Sequence, residues 1–273
     1  MNQASGNGAA RGVRNVAGWV PVLARVGYAA KGVVYGLVGA IAVQAGLEAG
    51  SPEGSAGALA ELGGARGGAA LLLLIAIGLA CHVLWRLVQA ALDPEHDGSD
   101  AKRAGVRLSY LGSAVIYGWL AITAWQLARG QDGGDAQEDG TTNLVAMLLQ
   151  QPFGTWLVML AGIGVMAYGL HQLYQAWNGD MTKHMVAHKV VVSRGMVMVG
   201  RVGTAARGLV LLPVGWFVFS AGRQFRAEEA AGIEEVLGML GNGWLLVVVG
   251  VGLFAYGLHQ LAKALYRRIE RPS

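Results

Sequence analysis

The chain has 273 residues, of which 54% are hydrophobic and only 14% charged, against the quarter usual in soluble domains. Its net charge is +4, its single Cys81 rules out an intramolecular disulfide, and its 43 glycines follow no collagen-like period. An ordinary soluble domain is excluded, and a Gly-rich apolar chain suits closely packed membrane helices.

In chain order, residues 1–20 are small, polar and basic (Arg11, Arg14) and read as a flexible cytoplasmic start without a cleavable signal peptide. Apolar spans are predicted at about residues 21–47, 67–92, 105–127, 153–177, 202–221 and 242–265. Each approaches or exceeds the roughly 20 residues that cross about 30 Å of hydrocarbon. Pro213 is expected to kink the fifth. The first, third and fifth connections are Gly-rich and acidic, and each holds a short helical stretch, at Ala58–Leu62, NLVAMLLQ (143–150) and IEEVLGML (233–240). The second, DPEHDGSDAK (93–102), is a charged turn. The fourth, 178–201, carries His184 and His188 among Lys, Met and Val; two ligands without a nearby carboxylate or Cys make a weak metal pair, and a lipid-surface basic segment fits better.

Orientation follows from the cations. The first, third and fifth connections hold four of the 21 Lys and Arg (Arg66, Arg129, Arg223, Arg226) and 11 of the 17 carboxylates. The other 17 cations lie on the side of the termini, and positive charge marks the cytoplasmic side. Both termini are therefore expected inside.

The spans repeat in pairs. GLACHVLWRLVQA (78–90) returns as GVMAYGLHQLYQA (164–176) and GLFAYGLHQLAKA (252–264), so the leading glycines are 86 and 88 residues apart. The other helix of each pair opens as RVGYAAK (25–31), RLSYLGS (107–113) and RVGTAAR (201–207). The units are residues 21–92, 105–177 and 196–268. Like-oriented hairpins relate by rotation about the membrane normal, so the expected fold is an all-α integral membrane protein, six helices in three tandem hairpins forming a pseudo-threefold bundle. Gly32 and Gly36 make a small-xxx-small step that suits a close internal crossing, with a dimerisation face as the other reading. This pattern, with RVGYAAKGVVYGLVGA opening the first unit and LWRLVQA closing it, resembles the bacterial DUF1206 family, a two-helix membrane unit of unknown function present three times per protein. The resemblance spans about residues 21–268. Copies two and three depart in having His171-Gln172 and His259-Gln260 where copy one has Trp85-Arg86. It implies fold and location and brings no catalytic residues.

Depth sorts the polar residues of the spans. At 1.5 Å per residue, Lys31 lies about 9 Å beyond Arg25 at the inner boundary. Lys31, Arg86, Arg207, His171, Gln172, His259 and Gln260 then share one cytoplasmic layer. So shallow a depth favours snorkelling to lipid phosphate; recurrence of a polar donor in every copy argues for a shared anion or lipid site, with Arg86 stacked on Trp85. A second layer, Tyr35, His82, Tyr117, Tyr168 and Tyr256, lies nearer mid-membrane. His82 stands where the other copies have Tyr, which favours a packing role over a proton relay. Gln44 and Gln126 fall near the outer interface.

No nucleophile elbow, HExxH, Walker loop or CxxC is present, and nearly every carboxylate is in a connection, so no buried acid/base pair is available for enzymatic work. Basic residues without interleaved aromatics on a soluble surface argue against nucleic acid. No cofactor or metal is called for. The expected function is a non-catalytic membrane module binding anionic lipid, a partner membrane protein or a second copy through the cationic inner layer. The alternative is a small-solute, anion-selecting transporter or channel along the pseudo-threefold axis, against which stand tight Gly packing and the lack of broken helices. Cysteines placed at Ser55, Asp135 and Glu229 are predicted to label from outside intact cells, and one at Ser99 to stay protected. Labelling of Ser99→Cys by an impermeant reagent would reverse the topology.

Overall fold

The computed structural model describes residues 4–48, 55–92, 100–131, 140–178, 194–241 and 243–266. Among them the regular elements are all helical: α1 (Ala4–Glu48), α2 (Ser55–Gly64), α3 (Gly68–Leu92), α4 (Asp100–Ala128), α5 (Gly140–Leu149), α6 (Gly154–Asn178), α7 (Arg194–Gln224), α8 (Ile233–Met239) and α9 (Trp244–Tyr266), with a 3-10 turn at Ala227–Glu229. Helices α1, α3, α4, α6, α7 and α9 contain six stretches long and apolar enough to cross a membrane. The turn at 93–99 and the His184/His188 pair lie outside the described residues.

One element departs from the sequence expectation. α1 starts at Ala4, so a helix occupies most of the segment expected to be flexible, ahead of the apolar stretch that begins at Val22. A helix already nucleated by a span extends through Ala- and Arg-containing residues without a new nucleation cost. α7 is continuous through Pro213, as neighbouring helices allow.

The short helices close the end opposite the termini. α2 and α8 bury Leu59, Val236 and Leu237 in the main core, and α5 buries Val145 and Leu149 against Val158, Val218 and Ala221. The Thr142 hydroxyl donates to the Ala230 carbonyl at 3.2 Å, tying α5 to the fifth connection. Gly232 N–H donates to the Glu235 carboxylate at 2.8 Å, and Glu234 and Glu235 in the first turn of α8 suit its helix dipole.

The long helices pack in the sequence α4–α3–α1–α9–α7–α6, through interfaces of two kinds. Junctions between repeats use glycines seven residues apart. A methyl at Gly250 would lie 2.9 Å from the Gly39 carbonyl, and one at Gly257 2.7 Å from the Gly32 carbonyl. At the equivalent junction of α6 and α7, a methyl at Gly162 would lie 2.8 Å from the Gly215 carbonyl, and one at Gly169 3.0 Å from the Gly208 carbonyl. Backbones this close are what small residues permit in a membrane, where apolar burial alone does not hold helices together. The α3–α4 junction carries Ala76, Ala114 and Ala121 at the matching positions. There Arg107 adds hydrogen bonds to the free carbonyls at the end of α3, Nε to Ala90 O and Nη2 to Ala91 O at 3.1 Å.

The second kind of interface lies within a hairpin. In the first, Gly78 of α3 abuts the Ala30 methyl of α1, and Gly27 abuts the His82 backbone. In the third, Gly252 of α9 abuts the Ala206 methyl of α7, and Gly203 abuts the Tyr256 backbone. The second hairpin lacks this contact. Among the described residues, α4 and α6 do not pack along their lengths, and Gly112 and Gly164, the equivalents of Ala30 and Gly78, meet nothing within 4 Å. Ile116 of α4 is 54% exposed, whereas its equivalents Val34 and Val210 are 0% and 4% exposed. Two of the three hairpins, α1–α3 and α7–α9, thus pack as the pseudo-threefold bundle expected from the repeats requires, and the α4–α6 hairpin does not share that contact.

Inside, Val34, Val38, Leu72, Leu79, Leu120, Val210, Val214, Leu246 and Leu253 form one apolar core. The equivalent glycines give a direct stability test. Gly78→Ala and Gly252→Ala each place a methyl against another methyl, and overpacking of this kind costs about 1–3 kcal/mol. Gly164→Ala enters open space and gains helix propensity, so it is expected to leave the melting temperature in detergent unchanged or slightly raised. Equal destabilisation by all three would mean that the second hairpin closes like the others.

Candidate functional site

Lys31 on α1 and Arg207 on α7 occupy the same repeat position, which is Ser113 in copy two. Neither snorkels outward: Lys31 is 2% and Arg207 8% exposed. Both side chains turn into the bundle and meet tyrosines from several helices. The Lys31 ammonium lies 4.8 Å from the ring centre of Tyr117, 5.6 Å from Tyr256 and 5.8 Å from Tyr35. The Arg207 guanidinium lies 5.1 Å from Tyr256, 5.3 Å from Tyr35 and 5.4 Å from Tyr168, and its Nε donates to the Tyr35 hydroxyl at 2.9 Å.

Arg86 on α3, half-buried, is the third cation. Its guanidinium sits 5.2 Å from the Tyr110 ring, and Nη1 donates to Gln89 Oε1 at 3.0 Å. Stacking was expected on Trp85, but Trp85 is buried with Ala24, Tyr28 and Ala264 and faces the other way. Consecutive helix residues point about 100° apart, so a residue one turn away, on a neighbouring helix, is the better partner. Arg86 and Arg207 are both within electrostatic reach of Tyr168.

The two layers separated by depth are one site. Tyr35 and Tyr256 meet edge to face at 4.9 Å, as do His82 and Tyr117, and Tyr28 meets His82 at 5.9 Å. Helical side chains lean toward the helix N-terminus, which carries the Tyr35 and Tyr117 rings back toward the cation level. Tyr28, Tyr110 and Gln89 were missed by sequence reasoning. The signal for the two tyrosines was their place one turn before Lys31 and Ser113 in the repeated RVGYAAK and RLSYLGS segments.

Other expected members lie around the cluster. Gln172 and Gln260, at the repeat position of Arg86, are each 3% exposed, and Gln172 Nε2 and Gln260 Oε1 have no hydrogen-bond partner. His259 is buried against Gly200, and His171 is exposed on α6, outside the cluster. Gln44 lies away from the site and donates to Glu48 at 3.1 Å.

The chemistry is set by what the cluster contains. Apart from Glu48 at the far end of α1, the six apolar stretches hold no Asp or Glu. Tyrosine faces offer each cation about 0.5–2 kcal/mol but carry no net charge. Buried polar atoms are normally hydrogen-bonded, yet Arg207 Nη1, Arg86 Nε and the Tyr117 hydroxyl lack partners. Charged and neutral donors thus converge here without an acceptor of full charge. Among the described residues no three metal-ligating side chains come together.

Comparison with known proteins places the chain. It is 28% identical over 260 residues to "Uncharacterized protein YxxB" of Bacillus subtilis (strain 168), covering 92% of each chain. No solved structure matches. A family described as "Domain of Unknown Function (DUF1206)" matches three times, at residues 26–93, 108–179 and 202–267, on the three hairpins found above. With three matched copies across most of its length, the chain belongs to the DUF1206 family.

Proposed function

We propose that this protein is a non-catalytic module of the bacterial inner membrane, with both termini in the cytoplasm, which holds the anionic headgroup of a lipid on the Lys31, Arg86 and Arg207 cluster. The observation that carries this reading is the burial of Lys31 and Arg207 among tyrosines, with Arg86 half-buried on Tyr110 and no carboxylate among the described residues of their part of the bundle. The positive-inside rule places the cluster in the cytoplasmic third, where basic pockets between helices suit lipid phosphates. Arg86 on Tyr110 donates from Nη1 to Gln89 and keeps Nε without a hydrogen-bond partner, so part of its planar fork is left for phosphate oxygens. An anion path along the bundle centre is disfavoured, since the Tyr35–Tyr256 and His82–Tyr117 pairs and the apolar core fill it.

Native mass spectrometry of the purified protein is expected to retain phosphatidylglycerol or cardiolipin, and a Lys31→Gln, Arg86→Gln, Arg207→Gln triple variant to lose it. Equal retention by the two proteins removes the cluster from lipid binding.

Removal of one charge gives an independent check. Replacing a buried uncompensated charge by an apolar residue is neutral or stabilising, and a ligand stabilises the form that binds it. Lys31→Met is therefore expected to raise the melting temperature of delipidated protein and to halve or abolish the further rise given by phosphatidylglycerol. A lower melting temperature without lipid would make the tyrosine cage itself the stabilising partner of Lys31.

A further inference from the structure

The second hairpin differs from the other two in a way that bears on how a ligand reaches the cluster. In hairpins one and three the positions equivalent to Gly112, Ile116 and Gly164 are buried in a helix–helix contact; in hairpin two they face outward between α4 and α6. Tyr168 lies on this seam and is 37% exposed, while its equivalents Tyr256 and His82 are 4% and 0% exposed. It touches both environments, because its ring is 5.4 Å from the Arg207 guanidinium. Gln172 is one turn along α6 on the same face, buried, with Nε2 unpartnered. Arg207 Nη1 and the Tyr117 hydroxyl are likewise buried and unpartnered. The seam is thus lined by small and apolar side chains, Gly112, Ile116, Ala161 and Gly164, and ends on unfilled donors.

We infer that the α4–α6 seam receives an acyl chain of a phospholipid whose phosphate is held by Arg86 and Arg207, so that the ligand is a membrane-borne anionic amphiphile that arrives sideways. This rests on the proposed anion-binding role of the cluster and adds the route and the chemical class. An apolar chain matches the seam, and the charge of the cluster selects the headgroup. A second copy of the protein would also cover the seam, but the apolar stretches of its α4 and α6, Gly105–Ala128 and Gly154–Asn178, hold no carboxylate for the cations within. Free phosphate would satisfy the donors and leave the seam without a role.

The test uses a Gly112→Leu, Gly164→Leu variant, in which the added Cβ at each position meets nothing within 4 Å and helix propensity rises, so folding is expected to be retained. A melting temperature at or above that of the wild type checks this. The wild type, the seam variant and the triple cation variant are compared for phosphatidylglycerol retention by native mass spectrometry and for thermal stabilisation by inorganic phosphate. The expected result is at least a tenfold loss of lipid by the seam variant with its phosphate response unchanged, and loss of both by the cation variant. Lipid retained by the seam variant but not by the cation variant overturns the seam and leaves the cluster. Lipid retained by all three overturns both. A wild type that responds to phosphate and holds no lipid makes the ligand a free anion and overturns the seam. Efficient disulfide cross-linking between copies of Gly164→Cys in a Cys81→Ala background, in native membranes, makes the seam a dimer interface and overturns it as well.

Discussion

Two buried cations and one half-buried cation sit in an apolar bundle whose described residues bring no carboxylate to them, and much of the local structure is an answer to that. Burying an ion without a full counter-charge is costly, and the usual remedy of a paired Asp or Glu is missing from these helices. Tyrosines supply a partial remedy. Lys31 and Arg207 share the rings of Tyr35 and Tyr256, and Arg86 has Tyr110. Ring faces attract a cation through their quadrupole and leave its net charge in place. The rings therefore shield the cluster without neutralising it.

Such a cluster requires helices that cannot drift apart under like-charge repulsion. Lys31 lies one residue before Gly32, and Arg207 one residue before Gly208, each at a junction where two backbones touch. Seven-residue spacing of Gly32, Gly39 and Gly46, and of Gly208, Gly215 and Gly222, keeps one face of each helix in contact over four turns. The α3–α4 junction, built on alanine, gains a different fastening from Arg107 at the end of α3. Close crossings position the charges, and the loss of one crossing leaves a way to them.

The spans, the repeat, the short helices of the connections and the close glycine crossing were legible, because hydropathy, period and small-residue spacing are local properties of the chain. The cluster was only half legible. Depth ranks the Cα positions of Lys31 and Tyr35, but whether a long side chain turns toward lipid or inward depends on which neighbour offers it a partner. Snorkelling was therefore favoured at Lys31 and Arg207, where the tyrosines of three other helices draw the cations in. The partner of Arg86 was misplaced for the same reason, since Tyr110 is on another helix. The open seam left almost no trace in the local pattern, because Gly112 and Gly164 are as suited to a close contact as Ala30 and Gly78. What separates them is tertiary: all three repeats share the same junctions with their neighbours, and only α4 and α6 lack the contact within the hairpin.

One signal did mark the second copy. At the two positions where the first copy has Lys31 and Arg86, and the third has Arg207 and Gln260, the second has Ser113 and Gln172, with no charge at either. A repeat that contributes neither cation has less to hold in place and can leave its hairpin open without exposing a charge to lipid. Had the opening fallen in the first hairpin, Lys31 would stand in contact with acyl chains, at the price that membranes exact for unshielded charge. Three copies of one unit thus divide the work unequally. The closed copies supply the charges and the rings that shield them, and the uncharged copy supplies a gap that ends at Tyr168, where the nearest charge is Arg207, borrowed from its neighbour.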